Sequence, residues 1–599
     1  MIAKQMNGTQ HEMASKQSRG ARFLLLALFA CLALGGASYG QRDAAGDGQL
    51  THRWLFAYQG VGTPEEVEDL IALLPRAQAS GYNAVVLTAN SLFKTAPMSA
   101  QYVEGVRKIQ AAAQMYGLEL IPSVMPFGYS GGLLDEDRNL AEGLPVTEAL
   151  FVAKDGRLEF VPDPPVAVLG GDFEAADLDA WSHQVEVDSS VFLDSTVARG
   201  GAASLRMAHV AEATPRTEPG QGRPPRRPCG VGQLVEVRPF RQYHLTVWIR
   251  TRDFSRPSRA RVVVAADFEG NGAVNYTDLQ LESTQDWTEH HAVFNSLGNE
   301  TLAVGLYLSR PGEGEIWWDD LKIEEVGLLN VLRRPGCPLS VGGEDGTPYQ
   351  EGRDFAEVRD PLLDPYDVYH QPPSVQLTAD SRIQDGARLR VSYYHPVLIH
   401  TDQVVGCLSE PAMFDVIRRQ VEVVNELLHP RTFFMKHDEI RVANWCQACR
   451  SRELTPGELL ADNVRRCAQI IRDVSPEAKI WVWSDMFDPM HNAREREYYL
   501  VNGSWEGSWE GLDPEIGIVN WAGYLRGRNL RWFSDRGHEQ ILSGYYDRDD
   551  DGTDIKEWLG AAEGVAGVTG AMYTTWVPQY ESLEAWAAAA WGEQASREE

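Results

Sequence analysis

Pro411-Ala-Met-Phe-Asp-Val-Ile-Arg-Arg-Gln-Val-Glu-Val-Val-Asn-Glu-Leu-Leu428, then Thr432-Phe-Phe-Met-Lys-His-Asp-Glu439, is the stretch on which the fold turns. The first part is amphipathic at helical spacing, and Glu410–Leu428 reads as a helix. The second is a short apolar run that ends in charge, and Thr432–His437 reads as a buried strand. A strand apolar on both faces, set between amphipathic helices, belongs to a parallel sheet covered on both sides. The same alternation continues downstream. Pro456–Val474 reads as a helix, Lys479-Ile-Trp-Val-Trp-Ser-Asp485 as a strand, and Ile516–Trp521, Gln540–Tyr546 and Val568–Trp576 as three more. Ser582–Trp591 reads as the closing helix.

Upstream the pattern reappears. Trp54–Tyr58, Asn83–Thr88 and Leu118–Met125 read as strands, separated by helices over Pro64–Ser80 and Ala100–Tyr116. Thr63 is an N-cap for the first helix, Glu65 and Glu66 stand in its first turn, and Gly81 stops it. Three strands before the break and five after it make an α/β fold, a (β/α)8 TIM barrel. From about Val168 to Glu325 short alternating strands such as Tyr243–Arg250, Ala260–Ala265 and Thr301–Tyr307 replace the helical periodicity. The expected layout is a barrel interrupted after strand three by an all-β sandwich. Residues 50–166 form its first part, 167–328 the insertion, 329–408 connecting hairpins and loops, and 409–593 the second part.

The chain has 599 residues, 43% of them hydrophobic and 23% charged, which excludes a disordered or fibrous protein. Its formal charge of −30 makes nucleic acid a poor partner, because the field repels polyanions. Residues 1–40 read as a signal peptide: Lys4, Lys16, Arg19 and Arg22 precede the apolar run Phe23–Ala37, and small residues follow. A secreted or periplasmic protein without a membrane span is expected. Lipoprotein cleavage at Cys31 is disfavoured, since the apolar run continues past it. Six further cysteines remain: Cys229, Cys337, Cys407, Cys446, Cys449 and Cys467. In an exported chain they suggest structural disulfides or buried thiols, with the pairing open. Trp445-Cys-Gln-Ala-Cys449 is a CxxC, but no second CxxC or histidine pair stands at zinc-finger spacing, so no metal ligand set is assigned.

A barrel carries its active site at the C-terminal strand ends. Those ends read Lys436-His437-Asp438-Glu439, Trp483-Ser484-Asp485, Asn520-Trp521, Tyr545-Tyr546-Asp547 and Thr575-Trp576. Carboxylates and aromatics suit glycosidic cleavage, with an acid for the leaving oxygen and flat walls for the sugar ring. Neighbours on a strand point to opposite faces, so Asp438 and Glu439 serve one site only if the strand has ended. Trp505 and Trp509 in Gly503-Ser-Trp-Glu-Gly-Ser-Trp-Glu510 read either as substrate-lining or as packing between loops.

Residues Pro411–Trp591 resemble the catalytic domain of family 20 glycoside hydrolases, the β-N-acetylhexosaminidases. Phe433–Glu439 resembles that family's histidine-then-Asp-Glu strand, Ile480–Asp485 its tryptophan strand, Tyr545–Asp547 the strand that contacts substrate, and Gly570–Trp576 with Glu584–Trp591 its last strand and helix. The resemblance implies a retaining, substrate-assisted hydrolase needing no catalytic cofactor, with a glycan as substrate. Glu439 would be the general acid/base. Asp438 would orient the 2-acetamido group, which attacks C1. Tyr546 or Tyr545 would bond the acetamido oxygen, Trp483, Trp521 and Trp576 would wall the sugar, and His437, Asp485 and Asp547 would complete the set. Lys436 and His437 stand where the family has two glycines, and Ala57-Tyr-Gln-Gly60 where it has an arginine. The insertion, from Gly170-Gly-Asp-Phe-Glu174 to Ile316-Trp-Trp-Asp-Asp-Leu-Lys-Ile323, resembles jelly-roll carbohydrate-binding modules, which implies either a sugar binder or a purely structural sandwich, with a structural calcium near Asp319 and Asp320. Two other readings stand beside this one: a non-catalytic glycan-binding barrel, and a glycosidase for a sugar without an acetamido group.

Overall fold

The structure, a computed structural model, describes residues 50–88, 98–208, 229–309, 313–544 and 552–592. Residues 1–40, read above as a signal peptide, and the Tyr545-Tyr546-Asp547 segment lie outside these residues. Among the described residues no helix is long and apolar enough to cross a membrane.

Eight parallel strands close a barrel: β1 (His52–Tyr58), β2 (Ala84–Thr88), β3 (Glu119–Val124), β4 (Thr432–Met435), β5 (Lys479–Trp483), β6 (Gly517–Asn520), β7 (Gln540–Leu542) and β8 (Val568–Thr574). β1 closes the ring by pairing with β2 on one side and β8 on the other. The helices longer than one turn are α1 (Pro64–Ala79), α2 (Ala100–Met115), α3 (Pro411–Leu428), α4 (Pro456–Val474), α5 (Arg526–Ser534), α6 (Thr553–Ala562) and α7 (Leu583–Trp591). Their starts follow from local chemistry. Thr63 and Glu66 close a capping box at α1, and Thr455 and Glu458 do so at α4, each followed by proline at the first helical turn.

The inside of the barrel is filled by alternate side chains of its strands. Trp54 and Phe56 from β1, Val86 from β2, Ile121 from β3, Phe434 from β4, Trp481 and Trp483 from β5, Val519 from β6 and Met572 from β8 form one buried cluster. Tyr58, Trp521 and Trp576 cap it at the C-terminal end. Period-two alternation thus carries Trp54 and Phe56 into the core and delivers Tyr58 to the rim above them.

Between β3 and β4 the chain builds three antiparallel sheets. A five-stranded and a four-stranded sheet, drawn from His183–Glu325, share a core that includes Trp181, Val231, Leu245, Val264, Phe294, Leu306 and Trp318. Trp317 is also buried, its indole N–H donating to Asp194 at 2.9 Å, so neither tryptophan of the pair faces solvent. Asp319 accepts from the Arg199 backbone at 2.8 Å, and Asp320 pairs with the Arg199 guanidinium at 2.7 Å.

The third sheet departs from the sequence expectation. Leu144–Lys154 and Arg157–Phe160, read as part of the barrel's first half, pair with Arg388–His395 and Val375–Gln376 in a six-stranded sheet that Ser340–Gly343 and Pro348–Tyr349 complete. Its own core holds Val146, Phe151, Leu389, Val391 and Tyr393. These partners lie more than 200 residues apart in sequence, a range at which local periodicity says nothing of pairing.

Candidate active site

β4 ends at Met435, and the four residues that follow leave strand geometry. His437 has φ +36° and Glu439 φ +47°, left-handed conformations that cost a non-glycine residue of order 1 kcal/mol or more. The two reversals let the Asp438 and Glu439 side chains reach one cavity, as a continuing strand would not. That cavity, about 390 Å³, is lined by Tyr58, Tyr129, Asp402, Lys436, Asp438, Glu439, Trp483, Trp521 and Trp576. Trp483 packs between Phe56 and Phe434 and lies 5.8 Å from the Trp576 ring, so these indoles form a rigid wall.

Glu439 is held at four points. Its backbone N–H donates to Asp485 Oδ2 at 3.0 Å, and its carbonyl accepts from Gln403 Nε2 at 2.9 Å. Its carboxylate accepts from the Tyr129 hydroxyl at 2.5 Å and pairs with Arg441 at 2.7 Å. Gln403 also accepts from Arg441, which ties the charge to the same frame. Burial, then the charges of Glu439 and Asp438, raise the Tyr129 hydroxyl far above its ordinary range, so it stays a donor. Asp438 is 5% exposed and its Oδ1 has no protein partner. Burial pushes its carboxyl up to about 6, with Lys436 pulling down and Glu439 pushing up.

Two expected substrate contacts are corrected. His437 is wholly buried, bonds Asn463 of α4 at 3.0 Å and rests against Phe127, so its ring faces the helix layer and not the cavity. Asp485 is also wholly buried behind the site, where it accepts from the Glu439 N–H and from Asn492 at 3.1 Å. It positions Glu439 without lining the cavity. Trp505 is buried in the outer core and Trp509 packs on Trp532, so the Gly-Ser loop folds against its neighbours, the bland of its two readings. Asp438, Glu439, Trp483, Trp521 and Trp576 do share the cavity. Sequence reasoning missed Tyr58, Tyr129, Asp402, Lys436, Gln403 and Arg441. Two of them carried a signal: Lys436 stands in the strand end beside Asp438, and Tyr58 follows Phe56 by two on an inward-facing register.

Asp485 has a consequence for stability. Burial, reinforced by the Asp438 charge, pushes its carboxyl up to about 8 from 3.8. A group raised on folding holds its proton more tightly in the native state, so its contribution is complete below the unfolded value and disappears as pH rises through the folded one. Asp485→Asn, which keeps an acceptor oxygen, is therefore expected to match wild type near pH 4 and to exceed it in unfolding free energy near pH 8. Denaturant melts across that window check it, and parallel curves would show that Asp485 does not titrate there.

No family model matches the chain, and no curated protein matches it. Solved structures do resemble it. A chitobiase from Flavobacterium johnsoniae is 10% identical with a TM-score of 0.37, the match covering 91% of this chain and 48% of that one. A rhamnosidase from Novosphingobium is 11% identical with a TM-score of 0.31, covering 88% and 55%. A family 16 carbohydrate-binding module is 17% identical with a TM-score of 0.19, covering 26% of this chain and 97% of that one. The match thus spans about half the length of each of the two enzymes.

Proposed function

We propose that the protein is a glycoside hydrolase acting on a 2-acetamido sugar by substrate-assisted retention. The observation that carries the reading is the meeting of two adjacent carboxyl groups, Asp438 and Glu439, in one open cavity walled by Trp483, Trp521 and Trp576. Indole faces pack against the C–H faces of a pyranose. Glu439, the more exposed carboxyl, donates a proton to the departing glycosidic oxygen while the acetamido oxygen attacks C1. Asp438 accepts from the acetamido N–H and offsets the positive charge of the oxazolinium. Glu439 then takes a proton from water as the water opens the ring, which restores both groups.

A second reading, glycan binding without cleavage, draws on one observation: both Glu439 oxygens already have protein partners, Tyr129 and Arg441. A leaving oxygen has to displace one of them.

A panel of aryl glycosides with and without a 2-acetamido group separates the readings. Hydrolysis confined to acetamido sugars, and slowed when the acetamide carries fluorines that weaken its carbonyl nucleophile, is the expected result. Cleavage of neutral glycosides alone rejects substrate assistance, and binding without cleavage favours the second reading. Because Asp438 must be ionised to hold the oxazolinium, kcat/KM is expected to climb through about pH 6. Asp438→Asn is expected to lose that acid limb along with most of the rate.

A further inference from the structure

Three segments distant in sequence bring three thiols and a carboxylate together, one of the segments being the CxxC that follows β4. Cys407, Cys446, Cys449 and Glu142 are all buried, and their sulfur and carboxylate atoms lie within 4.8 Å of one another. The Cys407 sulfur is 3.5 Å from Cys446 and 3.7 Å from Cys449, and Cys449 is 3.6 Å from Glu142 Oε2. Around a tetrahedral zinc ion, with bonds of roughly 2.3 Å to sulfur and 2.0 Å to oxygen, the ligand edges come to about 3.8 and 3.5 Å. Three of the six edges come within about 0.3 Å of those values, the others lie within 4.8 Å, and the six described cysteines are all unbridged thiols.

The surrounding chain preorganises the donors. Glu142 turns Oε1 to the backbone N–H groups of Trp445 and Cys446 at 2.8 and 3.0 Å, which fixes the CxxC turn and leaves Oε2 on the sulfur side. The Cys407 N–H donates to Leu140, the Glu142 N–H to Val405 and the Gln447 N–H to Gly336, while the Cys449 carbonyl accepts from the Arg452 N–H, so all three donor segments are fixed by backbone hydrogen bonds. Arg334 lies beside the cluster, its side chain 3% exposed, donating to the carbonyls of Asn139 and Ala141. Cys337 hydrogen-bonds to Cys446 at the edge of the set.

We propose that Cys407, Cys446, Cys449 and Glu142 form a structural zinc site. Binding replaces the three thiol protons, which leave to solvent, and gives the four ligands with Zn²⁺ a net charge of −2, beside the buried Arg334–Glu410 ion pair. The site is closed, with four protein ligands and no position for water, so its role is to clamp. It ties the connection between β3 and β4, through Glu142 and Cys407, to Cys446 and Cys449, seven and ten residues beyond Glu439. This assignment stands whatever reaction the barrel performs.

The test is metal analysis of the purified full-length chain by mass spectrometry, with the cysteine oxidation state read from its intact mass. About one zinc per chain with all thiols reduced is expected, and Cys446→Ser with Cys449→Ser is expected to lose it. Cys467→Ser, outside the cluster, is the control that retains it. Should the double variant fail to fold, wild type treated with a mercurial thiol reagent is expected to release its zinc in step with thiol modification. Cobalt exchanged into wild type is expected to give the intense visible bands of a tetrahedral thiolate site. Wild type without stoichiometric metal, or with a two-hydrogen mass deficit from a disulfide within the cluster, overturns the proposal.

Discussion

Glu439→Gln is expected to lower kcat/KM on an aryl 2-acetamido glycoside by about 10³-fold, within the range removed with a general acid. The substitution keeps volume and planarity, and the amide oxygen still accepts from Arg441, which now pairs with Glu439 at 2.7 Å. What is lost is a proton to give. The defect should therefore grow with the basicity of the leaving group, being smallest for a nitrophenolate that departs without help and largest for an alkyl or sugar alcohol. Asp438→Asn is expected to cost about 10²-fold and to show no such leaving-group dependence, since Asp438 acts on the acetamide and not on the departing oxygen. Unchanged rates in the Glu439 variant would move the acid to another carboxyl, of which Asp402 is the candidate in the cavity.

Gly128→Ala is expected to be nearly as damaging, without touching substrate. A Cβ at Gly128 would lie 2.0 Å from the Asp438 carbonyl oxygen and 3.0 Å from that of Glu439. These are backbone atoms on a turn already held in left-handed geometry, so they cannot withdraw as a flexible side chain would. The turn must shift by about an ångström, and a misplacement of that size costs about 10²-fold in rate. Stability should fall with it, by about 1–3 kcal/mol, the usual cost of overpacking. The control is Gly560→Ala on α6, where nothing lies within 4 Å of the new methyl. It is expected to leave kcat unchanged. Full activity in Gly128→Ala would show that the Asp438–Glu439 turn tolerates movement.

The barrel was legible because its evidence is local. A strand such as Thr432–Met435 is apolar over Phe433–Met435, α4 carries its capping residues, and each can be read within a window of about 18 residues. Strand ends followed from the same reading, so Asp438 and Glu439 after β4, Trp483 on β5, Trp521 after β6 and Trp576 after β8 were legible as cavity residues. Orientation at those ends was another matter. His437 and Asp485 stand at the right positions in sequence, but the left-handed turn rotates one toward Asn463 and places the other behind Glu439. Trp505 sits on a loop rich in glycine and serine, yet the loop closes on α4 and the ring is buried. Backbone dihedrals at single residues decide these outcomes, and composition does not encode them.

Readable from the sequence were the eight parallel strands, α1 to α4 and α7 though not α5 or α6, the all-β character of the long stretch before β4 and the aromatic and acidic rim. These depend on periodicity, capping and the alternation of neighbouring residues. Tertiary structure alone decided what surrounds the central carboxylates and where the thiols go. Tyr129 meets Glu439 across 310 residues, and the six-stranded sheet draws its strands from both sides of the antiparallel pair. Glu142 reaches Cys449 across 307 residues. Contacts of that span are fixed by closure of the barrel and by burial of whole faces against one another. A CxxC without a partner in sequence therefore found one in space.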